Sequence, residues 1–158
     1  KAELEDQAFE MPFLQGIADH YVASQAGNPV RVLTSGVERE GSAPFFSSHK
    51  WRFVERIPWW DEYQDAIPVI IGHYWRMAIE TDRTAVGKGD HYLFEGIAPN
   101  EWHGARKNVF CVDFSVGGRW HERHNGSPLG QRFRLAAMRW PEQELVFDTG
   151  QRLQTRCG

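Results

Sequence analysis

The chain has 158 residues, of which 41% are hydrophobic and 25% charged, a composition typical of a folded globular domain rather than a disordered segment. Its net charge of −3, with acidic and basic residues interleaved, argues against a general nucleic-acid-binding surface. The apolar runs are far shorter than the roughly 20 residues of a membrane span, and the first residues, KAELEDQ, do not resemble a signal peptide, so we expect a cytoplasmic protein.

The first part of the chain is predicted to be helical. Apolar residues recur at helical spacing between residues 13 and 22, and Pro12 marks either a break before them or the first turn of a second helix. Asn28-Pro29 is predicted to end this helical region. The segments that follow are predicted to be a short strand over residues 30–33, a loop over residues 34–50 and an edge strand over residues 50–57.

The second half of the chain has strand-like patterning. Val69-Ile-Ile71 is an unbroken apolar run, which is typical of a strand covered on both faces. The remaining segments are predicted to be a loop with at most one short helix over residues 76–107, a strand over 109–116, a Gly- and His-rich excursion over 117–131, and a hairpin of residues 132–140 and 144–148. The class is α+β: a single domain over residues 1–158, with a helical segment over residues 1–29 and a mixed or antiparallel, sheet-rich part over residues 30–150.

Three short motifs do not have the spacing that their chemistry requires. The segment "GKGD", residues 87–90, lacks the leading glycine and the trailing hydroxyl residue of a phosphate-cradling loop. Cys111 has Gly117 rather than an arginine six residues later, so we expect a core thiol instead of a phosphatase nucleophile. His121 and His124 are one residue too close for the HExxH zinc motif.

The stretch "PVIIGHYW" places His73 directly after an apolar strand and a glycine. One interpretation is a core histidine whose ring is satisfied by a backbone carbonyl. The other is a ligand, because functional groups collect at the carboxyl ends of buried strands and neutral imidazole binds Zn, Mn or Fe well. The glycine lets the backbone turn close to a bound ion.

"VIIGHYW" resembles the late Gly-His motif of the calcineurin-like metallophosphoesterases, in particular the bacterial branch of serine/threonine protein phosphatases and diadenosine tetraphosphatase-like enzymes. "VLTSGVE", "KWRFVERIPWWDEY" and "NVFCVDFSVGG…FRLAAMRWPEQELVFDTG" resemble the segments around that motif. The resemblance covers residues 30–150. It implies the C-terminal half of a β-sandwich hydrolase in which two divalent cations, Mn, Fe or Zn, bind a phosphate ester.

The resemblance implies that His73 ligates one of the two metals, while Trp75 stands where some relatives carry a second histidine. The family's earlier Asp-x-His, Gly-Asp-x-x-Asp and Gly-Asn-His motifs do not occur in the chain. We therefore expect the remaining ligands on an N-terminal half of the parent enzyme. This chain alone is expected to bind no metal stably and to be inactive.

The resemblance also implies that Arg52 and Arg56 contact the phosphate of a phosphoprotein or nucleotide polyphosphate substrate. The alternative is a surface strand with solvated arginines. Arg76 is a further candidate for phosphate binding. Asp113 interrupts an apolar strand, so it either hydrogen-bonds a loop near His73 or marks the end of the strand.

The aromatic content is unusual, with 7 Trp and 10 Phe. Trp59, Trp60 and Trp75 are expected to pack a sheet against a helix, with base stacking as the alternative. Apolar faces of half a sandwich would be exposed, so we expect self-association as a dimer. A second hypothesis for the whole chain is a non-catalytic interaction or regulatory domain on the same scaffold.

Overall fold

A computed structural model describes residues 2–157, so Lys1 and Gly158 lie outside the described part of the chain. It contains both helices and strands and no closed barrel, as the α+β prediction requires. The chain forms two compact units. The N-terminal unit comprises residues up to 57 together with residues 82–92, and the C-terminal unit comprises residues 58–81 and those from 93 onward.

The N-terminal unit begins with three helices: α1 (Ala2–Glu5), α2 (Gln15–Ala26) and α3 (Pro29–Ser35). The predicted break at Pro12 is confirmed, because it lies between α1 and α2. The predicted strand over residues 30–33 is wrong. Pro29 occupies the first helical position, where its missing N–H is not needed, and the Asn28 side chain accepts the Arg31 N–H at 3.1 Å, so the pair begins a helix.

Two antiparallel strands complete this unit, β1 (Glu38–Ser47) and β2 (Lys50–Arg56). The predicted strand over residues 50–57 is confirmed. The loop predicted over residues 34–50 is wrong, because most of it is β1. Its pairing with β2 is irregular between Glu40 and Phe45, and this bulge contains the Gly, Ser and Pro residues that give the segment its loop-like composition. Helix α2 packs on the hairpin through Ala18 and Phe53.

The C-terminal unit contains three small sheets. Their strands are a parallel pair of β3 (Val69–Ile71) and β5 (Val109–Cys111), a parallel pair of β4 (Glu101–Trp102) and β9 (Arg156–Cys157), and an antiparallel meander of β6 (Ala136–Arg139), β7 (Glu144–Phe147) and β8 (Arg152–Gln154). The predicted hairpin corresponds to β6 and β7 and is confirmed. The strand predicted over residues 109–116 ends earlier, at Cys111.

The core of the C-terminal unit is apolar and largely aromatic. One buried cluster consists of Ala78, Trp102, Phe110, Phe114, Leu145 and Phe147. Strand β5 is fully buried, whereas Ile70 in β3 is 43% exposed. The prediction that residues 69–71 are covered on both faces is therefore wrong, because the face of β3 that carries Ile70 is open to solvent.

The predicted excursion over residues 117–131 contains a short helix, α4 (Arg119–His124). Glu122 on this helix is buried, and its carboxylate accepts the backbone N–H groups of Gly130 at 2.9 Å, Arg132 at 3.0 Å and Phe133 at 3.4 Å. One carboxylate thus fixes the return of the chain toward β6. Within residues 2–157, no helix has the length and apolar character needed to cross a membrane.

Candidate functional site

The loop after β3 places His73 at the carboxyl end of a parallel strand pair. Val69, Ile70 and Ile71 pair in register with Val109, Phe110 and Cys111, so both strands end at the same edge. His73 is exposed and has φ 70°, and Trp75 has φ 54°. Side chains with such positive φ values are uncommon and strained, and they cluster where the surrounding structure holds a functional loop in place.

Asp113 holds the backbone of this loop. Its Oδ2 accepts the His73 N–H at 2.9 Å, and its Oδ1 accepts the Ser115 N–H at 2.9 Å. Both interpretations of Asp113 are confirmed, since the residue lies just beyond the end of β5 and also hydrogen-bonds the His73 loop. A carboxylate with two amide donors is a stable anchor, and it fixes the direction of the chain at His73.

The far end of the loop is held by Arg76. Its backbone N–H donates to the Asp113 carbonyl at 2.9 Å, and the Ser115 hydroxyl donates to the Arg76 carbonyl at 3.1 Å. The loop of residues 72–76 is therefore attached to the segment 113–115 at both ends.

The Arg76 side chain is a structural element of the core rather than a phosphate-binding group. It is fully buried, and its guanidinium donates to the carbonyls of Cys111, Ala98 and Glu101. It also lies against three aromatic rings: Phe94, Phe110 and Phe114. The sequence hypothesis of Arg76 as a phosphate ligand is wrong, because its guanidinium is enclosed among backbone carbonyls and aromatic rings.

A buried histidine that the sequence did not single out lies in the same unit. His103 is 1% exposed and packs edge-on against Trp60, with ring centroids 4.9 Å apart, and against Phe94 at 5.3 Å. Neither ring nitrogen makes a hydrogen bond of good geometry with any described residue. Burial lowers the pKa of His103 to about 3; the charge of Arg76 adds to this effect, and the Glu101 backbone opposes it. The ring is therefore neutral at physiological pH.

Trp59 and Trp60 have different environments. Trp60 is buried, stacks on Phe94 with centroids 5.4 Å apart and contacts Tyr74, so it belongs to the aromatic cluster around His103. Trp59 contacts Trp60 and Tyr63. The expected packing of a sheet against a helix is not what these contacts show, since the neighbours of Trp60 lie in loops and turns.

Three other residues considered from the sequence, Cys111, His121 and His124, lie in the core or on a helix. Cys111 is buried, as predicted, and burial raises the pKa of its thiol to about 11, which makes it a poor nucleophile. His121 and His124 lie on α4 rather than in a loop, and His124 stacks against Trp120 with centroids 3.8 Å apart. Across residues 2–157, no three His, Cys, Asp or Glu side chains converge in a way that could hold a metal ion.

Arg52 and Arg56 lie on β2, in the N-terminal unit, four residues apart and on the same face of the strand. Both are half-buried. Arg52 Nε donates to the Ser47 carbonyl at 3.4 Å, and Arg56 Nε donates to the Ser35 carbonyl at 3.1 Å. Each of the two guanidinium groups thus has a contact with a backbone carbonyl. Burial lowers the pKa of Arg52, and the charge of Arg56 adds to this effect.

Residues 82–92 bring further charges to the hairpin of β1 and β2. Lys88 forms an isolated bridge with Ser47, and Lys88 N–H donates to the Arg83 carbonyl at 2.9 Å. The spacing of residues 87–90 does not fit a nucleotide loop, so Lys88 was not a candidate from the sequence. The signal was present in its flanking glycines, because Gly89 lies against the Phe46 carbonyl oxygen so closely that a Cβ atom would collide with it.

Comparison with known proteins finds no matching family model, no matching curated protein and no matching solved structure.

Proposed function

We propose that this chain is the C-terminal portion of a metal-dependent phosphoesterase that acts on a phosphoprotein or a nucleotide polyphosphate. The observation that carries the proposal is the conformation of the His73 loop. An exposed histidine with positive φ lies at the common carboxyl end of two parallel strands, and the Asp113 carboxylate fixes its backbone. This arrangement is typical of a ligand position in sheets with parallel strands.

The cost of the backbone conformation supports a functional role. A non-glycine residue at positive φ costs of the order of 1 kcal/mol or more, and this loop contains two, His73 and Trp75. Gly72 and Asp113 lie close enough that an added Cβ at Gly72 would be 3.9 Å from the Asp113 Cβ. A loop held in this way presents its side chain in one direction, which a metal ligand requires.

The chemistry divides between this chain and an N-terminal half of the parent enzyme. A divalent metal pair, Mn, Fe or Zn, would polarise the phosphate ester and lower the pKa of a bound water. His73 would supply one imidazole ligand to that pair. Arg52 and Arg56 would hold phosphate oxygens, because a planar guanidinium donates two parallel hydrogen bonds to an oxyanion. The chain alone is proposed to be inactive, since one imidazole cannot hold two cations.

The gene upstream of Lys1 provides the first test. The proposal expects Asp-x-His and Gly-Asp-x-x-Asp motifs there, and a complete gene product that hydrolyses a chromogenic phosphate ester with Mn²⁺ but not with excess chelator. A start codon directly before Lys1 would contradict it. So would turnover by the isolated chain that His73→Ala removes, because all ligands would then lie within these residues.

A second candidate is a non-catalytic interaction domain that associates with a second copy of itself. The observation that favours it is the exposure of large apolar side chains in both units. Leu33 and Val30 on α3 are 86% and 67% exposed, and Ile67 before β3 is 69% exposed. Sedimentation tests this association: a dimer supports it, whereas a clean monomer at high concentration contradicts it.

A further inference from the structure

We propose that the N-terminal unit carries a binding site for a phosphate group, centred on Lys88 and completed by Arg52, Arg56 and Arg83; we call this set the Lys88 cluster. The proposal goes beyond the function proposed above, because it assigns a ligand to Lys88 and Arg83 and requires neither a metal nor hydrolysis. It depends on how residues 82–90 pack on β1 and β2.

The backbone contacts bring Lys88 and Arg52 to the same place. Ser47, the last residue of β1, forms the bridge with Lys88, and its carbonyl accepts the Arg52 Nε at 3.4 Å. The next residue, Ser48, donates its N–H to the Gly87 carbonyl at 3.2 Å. Lys88 and Arg52 therefore both lie against the end of β1, one from the segment 82–90 and the other from β2.

Close packing at Gly89 maintains this contact. The Gly89 Cα lies against the backbone of Phe46, where a side chain would meet the carbonyl oxygen. The segment also has internal structure of its own. Arg83 Nη2 donates to Asp90 Oδ1 at 3.0 Å, and the Arg83 guanidinium lies 5.0 Å from the centre of the Tyr92 ring. The position of Lys88 is thus defined by the contact of Gly89 with the hairpin and by the contacts of Arg83 within the segment.

Positive charge dominates around Lys88. Burial lowers the pKa of Lys88; the charges of Arg56, Arg83 and Arg52 add to this effect, and the Asp90 carboxylate opposes it. The groups that favour the charged form of Arg52 are Tyr21, Glu38 and Asp90. Asp90 is already paired with Arg83 within its own segment. The cluster therefore carries an excess of positive charge in a half-buried setting, where an anionic ligand would be stabilising.

The residue types indicate the chemistry of that ligand. Two guanidinium groups directed from one strand face can donate to separate oxygens of a tetrahedral oxyanion, and a lysine adds a compact charge to a third. An excess of positive charge matches a dianion better than a monocarboxylate. We therefore assign a phosphate group, either free or as a monoester.

Isothermal titration of the purified chain in EDTA, at fixed ionic strength and pH 8, tests the assignment, with inorganic phosphate and phenyl phosphate as separate probes. We expect saturable binding of both if the site accepts an ester, and of inorganic phosphate alone if it takes the free ion. Lys88→Gln should weaken binding roughly tenfold or more, because a hydrogen bond to a charged group is lost. Arg52→Gln should act in the same direction.

Two further variants make the test specific. Asp90→Asn should tighten binding by removing a competing carboxylate, while Arg39→Gln removes one positive charge from β1 outside the cluster and should leave the affinity unchanged. Arg39 is 65% exposed and pairs with Glu55 at 3.0 Å. Circular dichroism establishes that each variant is folded. Absence of phosphate binding by the folded wild-type chain would overturn the proposal, as would equal losses in Lys88→Gln and Arg39→Gln. Because EDTA removes metals, failure here is distinguishable from failure of the phosphoesterase proposal.

Discussion

The Asp113 carboxylate and the His73 amide are joined by a hydrogen bond of 2.9 Å across the carboxyl ends of two parallel strands. They are 40 residues apart in sequence, yet this contact fixes the backbone of the residue that carries the exposed imidazole. The second oxygen of the same carboxylate accepts the Ser115 N–H, so neither strand end can shift without disturbing the other. This side chain therefore holds the start of the loop that carries the candidate ligand.

Replacing Asp113 by asparagine should loosen the His73 loop. An asparagine offers one acceptor oxygen where the carboxylate offers two, so one of the two amide hydrogen bonds is lost and the other weakens. We expect hydrogen exchange at the His73 and Ser115 amides to accelerate roughly tenfold or more. Asp65→Asn, at an exposed position of the same unit, serves as the control and should leave both rates unchanged. Unchanged exchange in Asp113→Asn would show that the loop is held by other contacts.

His103 should make the fold sensitive to mild acid. Its pKa is lowered to about 3 in the folded chain from an ordinary value of 6.5, so between these values the unfolded chain binds a proton that the folded chain does not. The free energy of unfolding therefore decreases as the pH falls below 6.5. The loss attributable to His103 should reach about 2 kcal/mol at pH 5.

Chemical unfolding of wild type and His103→Met at pH 7 and pH 5 measures this effect. Methionine has a similar volume without a titratable group, and it adapts to aromatic neighbours. We expect the variant to lose about 2 kcal/mol less than wild type on acidification. His91→Gln, at an exposed position, should show the wild-type loss. If wild type and His103→Met lost the same free energy, the neutral buried imidazole would not be the cause.

Lysine should not be able to replace Arg76 in the core without a loss of stability. The guanidinium donates to three carbonyls from a planar fork and lies between three phenylalanine rings, and an ammonium group cannot reproduce either arrangement. Arg76→Lys should lower the free energy of unfolding by about 3 kcal/mol or more. Arg106→Lys, at an exposed position of the same unit, should have almost no effect. Equal stability of the two variants in urea unfolding would contradict the structural role.

Glu122 should be essential for the segment that returns to β6. Its buried carboxylate accepts three backbone N–H groups, and glutamine would place an amide donor against amide donors. We expect Glu122→Gln to cost about 3 kcal/mol in unfolding free energy. Glu142→Gln removes a carboxylate whose ion pair with Arg139 is half exposed, and it should change stability by less than about 0.5 kcal/mol.

Gly89 should tolerate no side chain. A Cβ atom would meet the Phe46 carbonyl oxygen, so alanine must push residues 82–90 away from the hairpin. We expect Gly89→Ala to destabilise the chain by about 2 kcal/mol. Gly16, near the start of α2, has no atom within 4 Å of the position that an alanine methyl group would occupy, and Gly16→Ala should be stabilising by up to about 1 kcal/mol. Thermal unfolding of the two variants gives opposite shifts if the contact at Gly89 is as described.

Elements set by local pattern could be predicted from the sequence. The hairpin was predicted from the turn at residues 141–143 and from the alternating charged and apolar residues 132–135, which lie just before β6. The apolar run at residues 69–71 lies where β3 is found. Helix α3 was predicted as a strand because Asn28-Pro29 can either end a helix or begin one, and only the Asn28 side-chain hydrogen bond distinguishes these outcomes. Strand β1 was missed because its bulge carries loop-like residues, and its pairing depends on β2.

In the candidate sites too, features set by neighbouring residues could be predicted from the sequence, and features set by distant contacts could not. His73 was found because its strand and glycine are adjacent in sequence. The hydrogen bond from the His73 N–H to Asp113 joins residues 40 apart, and Lys88 returns to Ser47 at the end of β1, so neither contact follows from local spacing. Arg76 and Arg56 were both candidates for phosphate binding from the sequence. In the structure, Arg76 is enclosed by aromatic rings, whereas Arg56 lies half-buried on a strand.

The most direct measurement of the phosphoesterase proposal is kcat/KM for Mn²⁺-dependent hydrolysis of a chromogenic phosphate ester by the complete gene product, compared between wild type, His73→Ala and His91→Ala. The account predicts a loss of roughly a hundredfold or more in His73→Ala, because a metal ligand is removed, and near-wild-type activity in His91→Ala. Equal activity of all three proteins would show that His73 is not a ligand. Absence of metal-dependent hydrolysis by the folded wild-type gene product would contradict the proposed function itself.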